Sequence, residues 1–377
     1  MPEQVSQPAA TSTVLAATAP TRTIRDSGKG HAAPDTGGSS AVRSNAALMS
    51  TLAQTIDRVL TPLVPADRPV ALLDFPSTAN VGDSAIWLGT MVYLERRGIH
   101  PVYTCSYHTF SAAALKRKIG NGTILLHGGG NFGDLYAPHQ LLREEVVRGF
   151  PRHRIVQLPQ TIYFKSTEAL DRARRTFDAH PDVTLLARDA ASLERARAHF
   201  RAPSFLCPDM ALELESHVRP AVGVDPVVWL TRADKESPSA LPATPPPGVR
   251  ATDWLNDDHT LLWMLNRRMG HMLRSRPRLR GFLQSALSRT YAPLARERVE
   301  RGNRLLRAGK VVVTNRLHAH IMCLLLGVPH VVLDNNYGKV RAFYDTWTHP
   351  SPLVEWGANE TEAFSQALAM LSRLMGA

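Results

Sequence analysis

The sequence predicts an α/β protein built from parallel β-sheets, and three observations carry this prediction. Short apolar runs, such as residues 183–187, alternate with amphipathic stretches of ten or more residues, which is the order of β–α–β units. The runs are almost continuously apolar, as in strands that are buried on both faces. The length of 377 residues is too great for one small core and favours two domains. We therefore expect two Rossmann-like, doubly wound domains that face a cleft.

In the first half, each apolar run is followed by a helical pattern, and turn residues such as Gly98 separate the two. Apolar residues with few breaks define the strands, and the 3.6-residue period defines the helices. The predicted strands are 70–75, 101–105, 123–127, 154–159, 183–187 and 204–208, and the predicted helices are 84–97, 111–118, 140–148, 167–179 and 190–199.

The second half is less regular but has the same alternation. A long basic helical region, 258–307, separates its first strand from the others. Its predicted strands are 226–232, 311–314 and 329–333, followed or separated by helices at 318–326 and 360–374.

These patterns divide the chain into four segments. Residues 1–45 are rich in Ala, Ser, Thr, Pro and Gly without a hydrophobic period, so we expect a disordered tail. Residues 46–215 form the N-terminal Rossmann-like domain, 216–350 the C-terminal one with a basic helical insertion, and 351–377 a C-terminal helix.

Composition restricts the cellular setting. We find no secretion signal and no apolar stretch approaching the ~20 residues of a membrane span. Cys105, Cys207 and Cys323 are isolated and lack a metal-binding spacing, which indicates buried free thiols in a reducing cytoplasm.

Positive charge is concentrated in one region. The net charge is +11, and 267–310 holds thirteen Lys or Arg against two acids, Glu297 and Glu300. This region could be a solvated helix face, or it could bind anionic lipid head groups, nucleic acid or a diphosphate carrier. Aromatic interleaving and zinc-ligand spacings are missing, so we do not expect a nucleic-acid partner.

Three strand ends carry residues suited to anion binding, and the first is the sequence "NVGD". Asn80, Gly82 and Asp83 follow the first strand and lead into a helix. A glycine just before a helix lets backbone N–H groups point at an anion, and Asp83 or Ser84 can cap the helix. An ordinary strand-to-helix turn is the alternative.

The second strand end, "HGGGNFGD", is rich in glycine. Gly128, Gly130 and Gly133 fit the dinucleotide pattern GxGxxG, but the acid that would bind the ribose is missing, so we discount NAD. The triplet HGGG also occurs in esterase oxyanion loops, but the chain has no GxSxG motif for serine hydrolysis. Gly128, Gly129, Gly130 and Asn131 could offer free N–H groups to a phosphate or carboxylate, or the glycines could serve tight packing.

The third strand end is "NRLHAH". If Asn315 caps the helix, Arg316 and His318 lie in its first turn, where the helix dipole attracts anions. His320 shares a face with apolar residues, whereas His318 points about 200° away from that face. We therefore predict that His320 packs in the core and that His318 is functional.

Three cations are suited to a small anionic substrate: Arg188, Arg316 and Lys339. The guanidinium group of arginine can bind a carboxylate or a phosphate with two donors. A salt bridge between Arg188 and Asp189 is the structural alternative for that arginine. We find no metal-ligand signature and predict no metal site.

Taken together, the motifs resemble those of the polysaccharide pyruvyltransferase family. The resemblance spans residues 68–350 and rests on the ordered set "NVGD", "HGGGNFGD", "LPQT", "ARD", "CPD" and "TNRLHAHIMCLLLGVPHVVLDNNYGK". It implies a GT-B-like fold and the transfer of pyruvate from phosphoenolpyruvate, as a ketal, onto two hydroxyls of one sugar. The basic positions of the family correspond to Arg188, Arg316 and His318, which we expect to be catalytic, and to His127.

The resemblance also implies the setting of the reaction. The acceptor would be a sugar of an exopolysaccharide or of its oligosaccharide precursor, and a polyprenyl-diphosphate link to that precursor is left open. The enzyme would be cytoplasmic, with peripheral contact at the inner face of the membrane through 267–310. We expect no cofactor, because phosphoenolpyruvate itself is the donor.

Two other functions remain open from the sequence. A nucleotide-sugar glycosyltransferase of the same two-domain fold would release a nucleoside diphosphate rather than inorganic phosphate. A non-catalytic binder of nucleic acid or another anionic polymer would show steeply salt-dependent binding without turnover.

Overall fold

A long helix opens the described part of the chain. This helix, α1 (Gly37–Leu60), buries Met49, Leu52, Ile56 and Leu60, which recur at helical spacing. The prediction of a disordered tail is therefore wrong for residues 37–45, and residues 1–36 lie outside the described residues. The computed structural model describes residues 37–217, 223–230, 248–255, 259–335 and 338–376.

Two parallel sheets form the centre of the fold, as predicted. The first has the strand order β2-β1-β3-β5-β6-β7, with β4 paired to β5, and the second has the order β12-β11-β10-β8-β9. Every paired strand is parallel to its neighbour. The strands are β1 (Val70–Leu73), β2 (Tyr103–Cys105), β3 (Thr123–Leu126), β4 (Gly129–Gly133), β5 (Ile155–Tyr163), β6 (Val183–Ala187), β7 (Ser204–Leu206), β8 (Asp225–Leu230), β9 (Val249–Thr252), β10 (Gly309–Thr314), β11 (His330–Val332) and β12 (Val354–Trp356).

Helices connect most of these strands, as expected of β–α–β units. A 3-10 helix, Met210–His217, follows β7, another spans Pro277–Leu279, and a short π-helix spans Tyr344–Thr348. The other helices are α2 (Val81–Arg96), α3 (Ala112–Ile119), α4 (Ala137–Gly149), α5 (Thr167–Asp178), α6 (Ala190–His199), α7 (Leu261–Ser275), α8 (Arg280–Ser288), α9 (Tyr291–Arg307), α10 (Leu317–Leu326), α11 (Lys339–Phe343) and α12 (Glu360–Gly376).

The two sheets share one apolar core. Alternate residues of a strand face opposite sides of its sheet, so Leu72 of β1 and Val312 of β10 both point into this core, which also contains α1, α2, α9 and α10. Ala71 and Leu73 face a second core, on the other side of the first sheet. The outer face of the second sheet packs on α12.

The predicted helices and strands agree with the structure to within a few residues, with specific exceptions. The glycine sequence after β3 is itself a strand, β4, rather than a loop that opens a helix. Strand β12 was missed, because residues 351–377 were predicted to be a C-terminal helix. Residues 354–356 instead pair with β11 and extend the second sheet. Strand β9 was also missed. The division at residue 215 stays a prediction.

The three cysteines are free and buried, as predicted. In the described part of the chain, we find no helix that is long and apolar enough to cross a membrane.

Candidate functional site

A cleft of about 230 Å³ lies where strands of both sheets end. Parallel sheets bind ligands outside the carboxyl ends of their strands, so this is the expected place for chemistry. Of the predicted residues, Gly82, Gly128 and Gly129 do not line it. The cleft is lined mainly by Asp74, Asn80, Asp83, His127, Gly130, Asn131, His139, Arg188, Trp254, Arg316, His318 and Lys339.

One buried carboxylate joins two of the predicted catalytic residues. Oδ2 of Asp209 lies 2.8 Å from Nη1 of Arg188 and 3.4 Å from Nε2 of His318. The Nε–H of Arg188 also donates to Oγ1 of Thr161 at 2.8 Å. Arg188 therefore pairs with Asp209, and not with Asp189, which caps α6 by accepting from the N–H of Ser192.

The electrostatic surroundings keep Asp209 ionised. Burial would raise the pKa of its carboxyl, but His318, Arg188 and the N–H of Ala211 together lower that pKa well below its ordinary value. A permanent negative charge 3.4 Å from Nε2 of His318 fixes the orientation of the imidazole. The ordering of a histidine by a buried aspartate is a common feature of proton-transferring sites.

The first turn of α2 packs against His318. Asn80 is the N-cap, and its Oδ1 accepts from the N–H of Gly82 while its Nδ2 donates to Asp83. Gly82, Asp83 and Ser84 are thus inside the helix, so the prediction that Gly82 precedes the helix and that Asp83 or Ser84 caps it is wrong. A Cβ on Gly82 would lie 2.3 Å from Nδ1 of His318, so glycine is required there for the imidazole to fit.

Only Gly130 and Asn131 of the glycine strand β4 line the cleft. Gly128 packs against the carbonyl of Pro159, and Gly129 packs against Ile86. The N–H groups of Asn131 and Gly133 donate to the side chains of Gln160 and Gln140, so the prediction of a free N–H is wrong for Asn131.

Gly130 is the glycine that faces the cations. A Cβ on Gly130 would lie 3.1 Å from Nη2 of Arg188 and 3.9 Å from Nζ of Lys339. Two positive groups thus converge over a backbone that carries no side chain, which leaves space for an anion between them.

Arg316 lies at the second sheet's side of the cleft. Its guanidinium pairs with Asp253 and lies 5.7 Å from the centre of the Trp254 ring. Because α10 begins at Leu317, Arg316 occupies the N-cap position, and the predicted cap by Asn315 is wrong. The backbone of Arg316 is positioned by a hydrogen bond from its N–H to Oγ1 of Thr314, at 3.1 Å.

The two histidines of α10 separate as predicted. His318 lines the cleft, whereas His320 is fully buried and contacts His330 and Thr348 through its two ring nitrogens, at 2.7 and 2.8 Å. Burial, with a smaller contribution from His330, lowers the pKa of His320 well below its ordinary value. His320 is therefore a neutral core residue.

A second histidine–aspartate pair was missed by the sequence analysis. Nδ1 of His139, on α4, lies 2.8 Å from Oδ2 of Asp74, which follows β1 directly. Burial would raise the pKa of Asp74, but His139 and the nearby Arg143 lower it. Asp74 also has a φ of 76°, a strained conformation for a non-glycine residue and one that often marks functional sites.

His127 lies deep in the cleft in an unusual state. Its side chain is buried, and within the described structure neither ring nitrogen has a hydrogen-bond partner. Burial lowers its pKa to about 4, so it is neutral. A buried polar group without partners is costly, which indicates a position suited to hydrogen bonding with a ligand.

The sequence profile of the family described as "Polysaccharide pyruvyl transferase" matches residues 80–337, more than half of the chain. The chain belongs to this family. The matched range includes Asn80, His127, Arg188, Arg316 and His318, and the family assignment makes the protein a polysaccharide pyruvyltransferase enzyme.

Individual members of the family are also similar to this chain. Pyruvyl transferase 1 of Schizosaccharomyces pombe is 32% identical over 75% of this chain and 70% of its own length. The putative pyruvyl transferase EpsO of Bacillus subtilis is 31% identical over 81% of this chain and 92% of its own length.

A solved structure has a similar fold. A functionally uncharacterized protein of Klebsiella pneumoniae aligns with a TM-score of 0.53 at 16% identity, covering 82% of this chain and 99% of that one. At this identity, the similarity bears on the fold alone.

Proposed function

We propose that this pyruvyltransferase transfers pyruvate from phosphoenolpyruvate to a sugar of an exopolysaccharide or of its oligosaccharide precursor, forming a pyruvate ketal. The observation that carries the proposal is the position of Asp209 between Arg188 and His318. It couples an anion-binding group to a proton-carrying group inside one small cleft.

The donor would bind over Gly130. Arg188 and Lys339 approach this glycine from two sides, and Arg316 lies across the cleft. Phosphoenolpyruvate carries a phosphate and a carboxylate, and arginine binds either group with two parallel donors. A cleft of about 230 Å³ is suited to a three-carbon phosphate ester.

His318 is the proposed proton donor. Protonation of the methylene carbon of phosphoenolpyruvate makes a methyl group and leaves the adjacent carbon electrophilic. One sugar hydroxyl attacks that carbon, phosphate leaves with its bonding electrons, and a second hydroxyl closes the ketal ring. The proton of the first hydroxyl passes through a second base to the departing phosphate, and the proton of the second hydroxyl restores the protonated His318.

His139 is the proposed second base. Asp74 orients it, and both residues line the same cleft as His318. Two hydroxyl protons must be removed in sequence, and two separate bases allow each removal without reorganising the site. In this scheme neither a nucleotide nor a metal takes part, so a chelator should leave the rate unchanged.

We further propose that the acceptor is linked to a lipid diphosphate and that the enzyme contacts the inner face of the cytoplasmic membrane. Helix α7 exposes Leu261, Met264 and Leu265, next to the exposed Arg267 and Arg268. Exposed apolar side chains beside cations are the pattern of a helix that lies on an anionic membrane surface.

A coupled assay tests the reaction. The enzyme is incubated with phosphoenolpyruvate and candidate oligosaccharides, and free phosphate is measured together with acid-labile pyruvate on the sugar. Equal amounts of both products are expected. Release of a nucleoside diphosphate from a sugar nucleotide would indicate a glycosyltransferase instead.

A further inference from the structure

A second pocket, of about 440 Å³, lies beside the cleft. The segment after β1 separates the two: Pro76 and Thr78 line the cleft, and Ser77 between them lines the second pocket. On another side, the Tyr107 ring contacts His139 of the cleft at 4.8 Å and His108 of the second pocket at 3.7 Å, between ring centres. A molecule long enough to cross this wall could occupy both spaces.

The second pocket is strongly basic. We call it the arginine pocket and define it by Arg267, Arg274, Arg298, His108, His271 and Trp263. Asp and Glu are missing from its lining residues. Arg267 and Arg274 both line this pocket, and among the residues that the structure describes neither of them has an acidic partner.

The cations of the pocket are fixed to different degrees. Arg298 is buried, and its Nη1–H donates to the carbonyl of Pro76 at 3.2 Å, which attaches α9 to the wall of the cleft. The guanidinium of Arg267 lies 5.1 Å from the centre of the Trp263 ring. Burial and then the charge of Arg274 lower the pKa of His108 to about 4, as expected in a positive potential.

The chemistry of the pocket selects a multiply charged oxyanion. Arginine forks match the oxygens of phosphate groups. The pocket's volume of about 440 Å³ accommodates a diphosphate. Helix α7, which supplies Arg267 and Arg274, also exposes Leu261 and Leu265, so a lipid tail could leave the pocket along an apolar surface.

We infer that the arginine pocket binds the diphosphate group of a lipid-linked oligosaccharide acceptor while a sugar of that acceptor reaches the cleft. The inference rests on the proposed function and deepens it, because it assigns the acceptor's anionic end to a separate subsite. Donor and acceptor would then bind through different sets of cations.

The first experiment measures binding of inorganic pyrophosphate by isothermal titration calorimetry, with phosphoenolpyruvate present at saturation. The test variant is the double substitution Arg267→Ala/Arg274→Ala. The control is Arg268→Ala/Arg276→Ala, which removes the same charge from exposed positions of the same segment that do not line the pocket. We expect the test variant to weaken pyrophosphate binding at least tenfold and the control to change it less than twofold. Equal weakening in both variants, or loss of binding when phosphoenolpyruvate is added, would overturn the inference.

The second experiment measures turnover with two acceptors, the oligosaccharide linked to a short polyprenyl diphosphate and the same oligosaccharide without it. The test variant should raise KM for the diphosphate-linked acceptor at least tenfold, with little change in kcat, and should leave KM for the free oligosaccharide unchanged. UDP serves as a competitor to distinguish a nucleoside diphosphate site.

The two experiments separate the possible failures. Normal turnover without pyrophosphate binding to the pocket would refute the arginine pocket and leave the proposed function intact. Pyrophosphate binding that depends on Arg267 and Arg274, without pyruvylation of any acceptor, would support an anion subsite and refute the proposed reaction. Stronger competition by UDP than by pyrophosphate would contradict the assignment to a lipid diphosphate.

Discussion

Nε2 of His318 lies 3.4 Å from Oδ2 of Asp209, the same oxygen that accepts a hydrogen bond from Arg188. A single carboxylate oxygen thus connects the proposed proton carrier to the proposed anion-binding group. Donor binding at Arg188 and proton transfer at His318 are therefore expected to depend on each other.

The first prediction concerns this pair. His318→Gln should lower kcat by about 10²- to 10⁴-fold, because the proton donor is lost, and should weaken phosphoenolpyruvate binding less than Asp209→Asn does, because Arg188 keeps its carboxylate partner. Asp209→Asn should impair both kcat and donor binding, because it acts on His318 and on Arg188. Steady-state kinetics and direct titration of phosphoenolpyruvate separate the two effects. A correctly folded His318→Gln enzyme with wild-type turnover would remove this histidine from the mechanism.

The second prediction concerns Gly82. A methyl group on this residue would overlap the His318 imidazole, so Gly82→Ala should displace that ring and lower kcat by about a hundredfold, as expected for a misplacement near 1 Å. Gly149→Ala is the control, because its Cβ would meet open space at the end of α4. Both variants are compared by kcat and by thermal unfolding. If the two had equal activity, the close fit at Gly82 would have no catalytic role.

The third prediction concerns the cations that hold the donor. Arg188→Lys and Arg316→Lys should each raise KM for phosphoenolpyruvate at least tenfold and change KM for the acceptor less than twofold, since lysine cannot form the two parallel bonds of arginine. Arg195→Lys, on the neighbouring helix α6 and outside the cleft, should leave both values unchanged. Equal effects on donor and acceptor would count against the assignment.

The fourth prediction concerns the pH dependence of stability at His127. Its pKa is about 4 in the folded protein and ~6.5 in an unfolded chain. As the pH falls from about 6.5 to 4, the unfolded state takes up a proton that the folded state does not, so the free energy of unfolding decreases. His127→Phe removes this penalty, and its free energy of unfolding relative to wild type should rise by about 2 to 3 kcal/mol between pH 7.5 and 4.5.

Denaturant unfolding at the two pH values measures this difference. His100→Phe, at an exposed position, provides the comparison and should show no pH-dependent change relative to wild type. A constant difference between His127→Phe and wild type at both pH values would contradict a neutral, buried His127.

The fifth prediction concerns the exposed apolar residues of α7. Leu261→Ser/Leu265→Ser should reduce sedimentation with vesicles of anionic lipid several-fold, because these side chains would insert at the membrane surface. Leu141→Ser/Leu368→Ser removes comparably exposed leucines from α4 and α12 and should not reduce it. Equal binding by the two variants would exclude α7 as the contact.

The predictable part of the site is the part encoded by local periodicity. His318 and His320 differ by two residues, so their opposite directions on α10 follow from 3.6 residues per turn, and the structure confirms that His320 is in the core. The strand ends before Arg188 and Arg316 could also be located from the sequence, because the apolar runs that precede these residues are short and continuous.

The unpredicted part depends on contacts between distant segments. Asp209 gains its role only because the chain after β7 returns beside Arg188 and faces α10 of the second sheet. The glycine run forms β4 because it pairs with β5, a later segment of the chain, and Gln140 and Gln160 also accept two of its N–H groups. The positive φ of Asp74 and its contact with His139 leave no signal in the sequence.

The apolar core shared by the two sheets also limits how this enzyme could be recombined. Val81 and Ala85 of α2, which follow the first sheet's β1, pack in the same core as Val228 and Val312 of the second sheet. A chimera that exchanged only the second half with a relative would have to match that buried surface side chain by side chain. Changing the acceptor preference should therefore be more successful by redesigning α7 and the arginine pocket than by exchanging halves as modules.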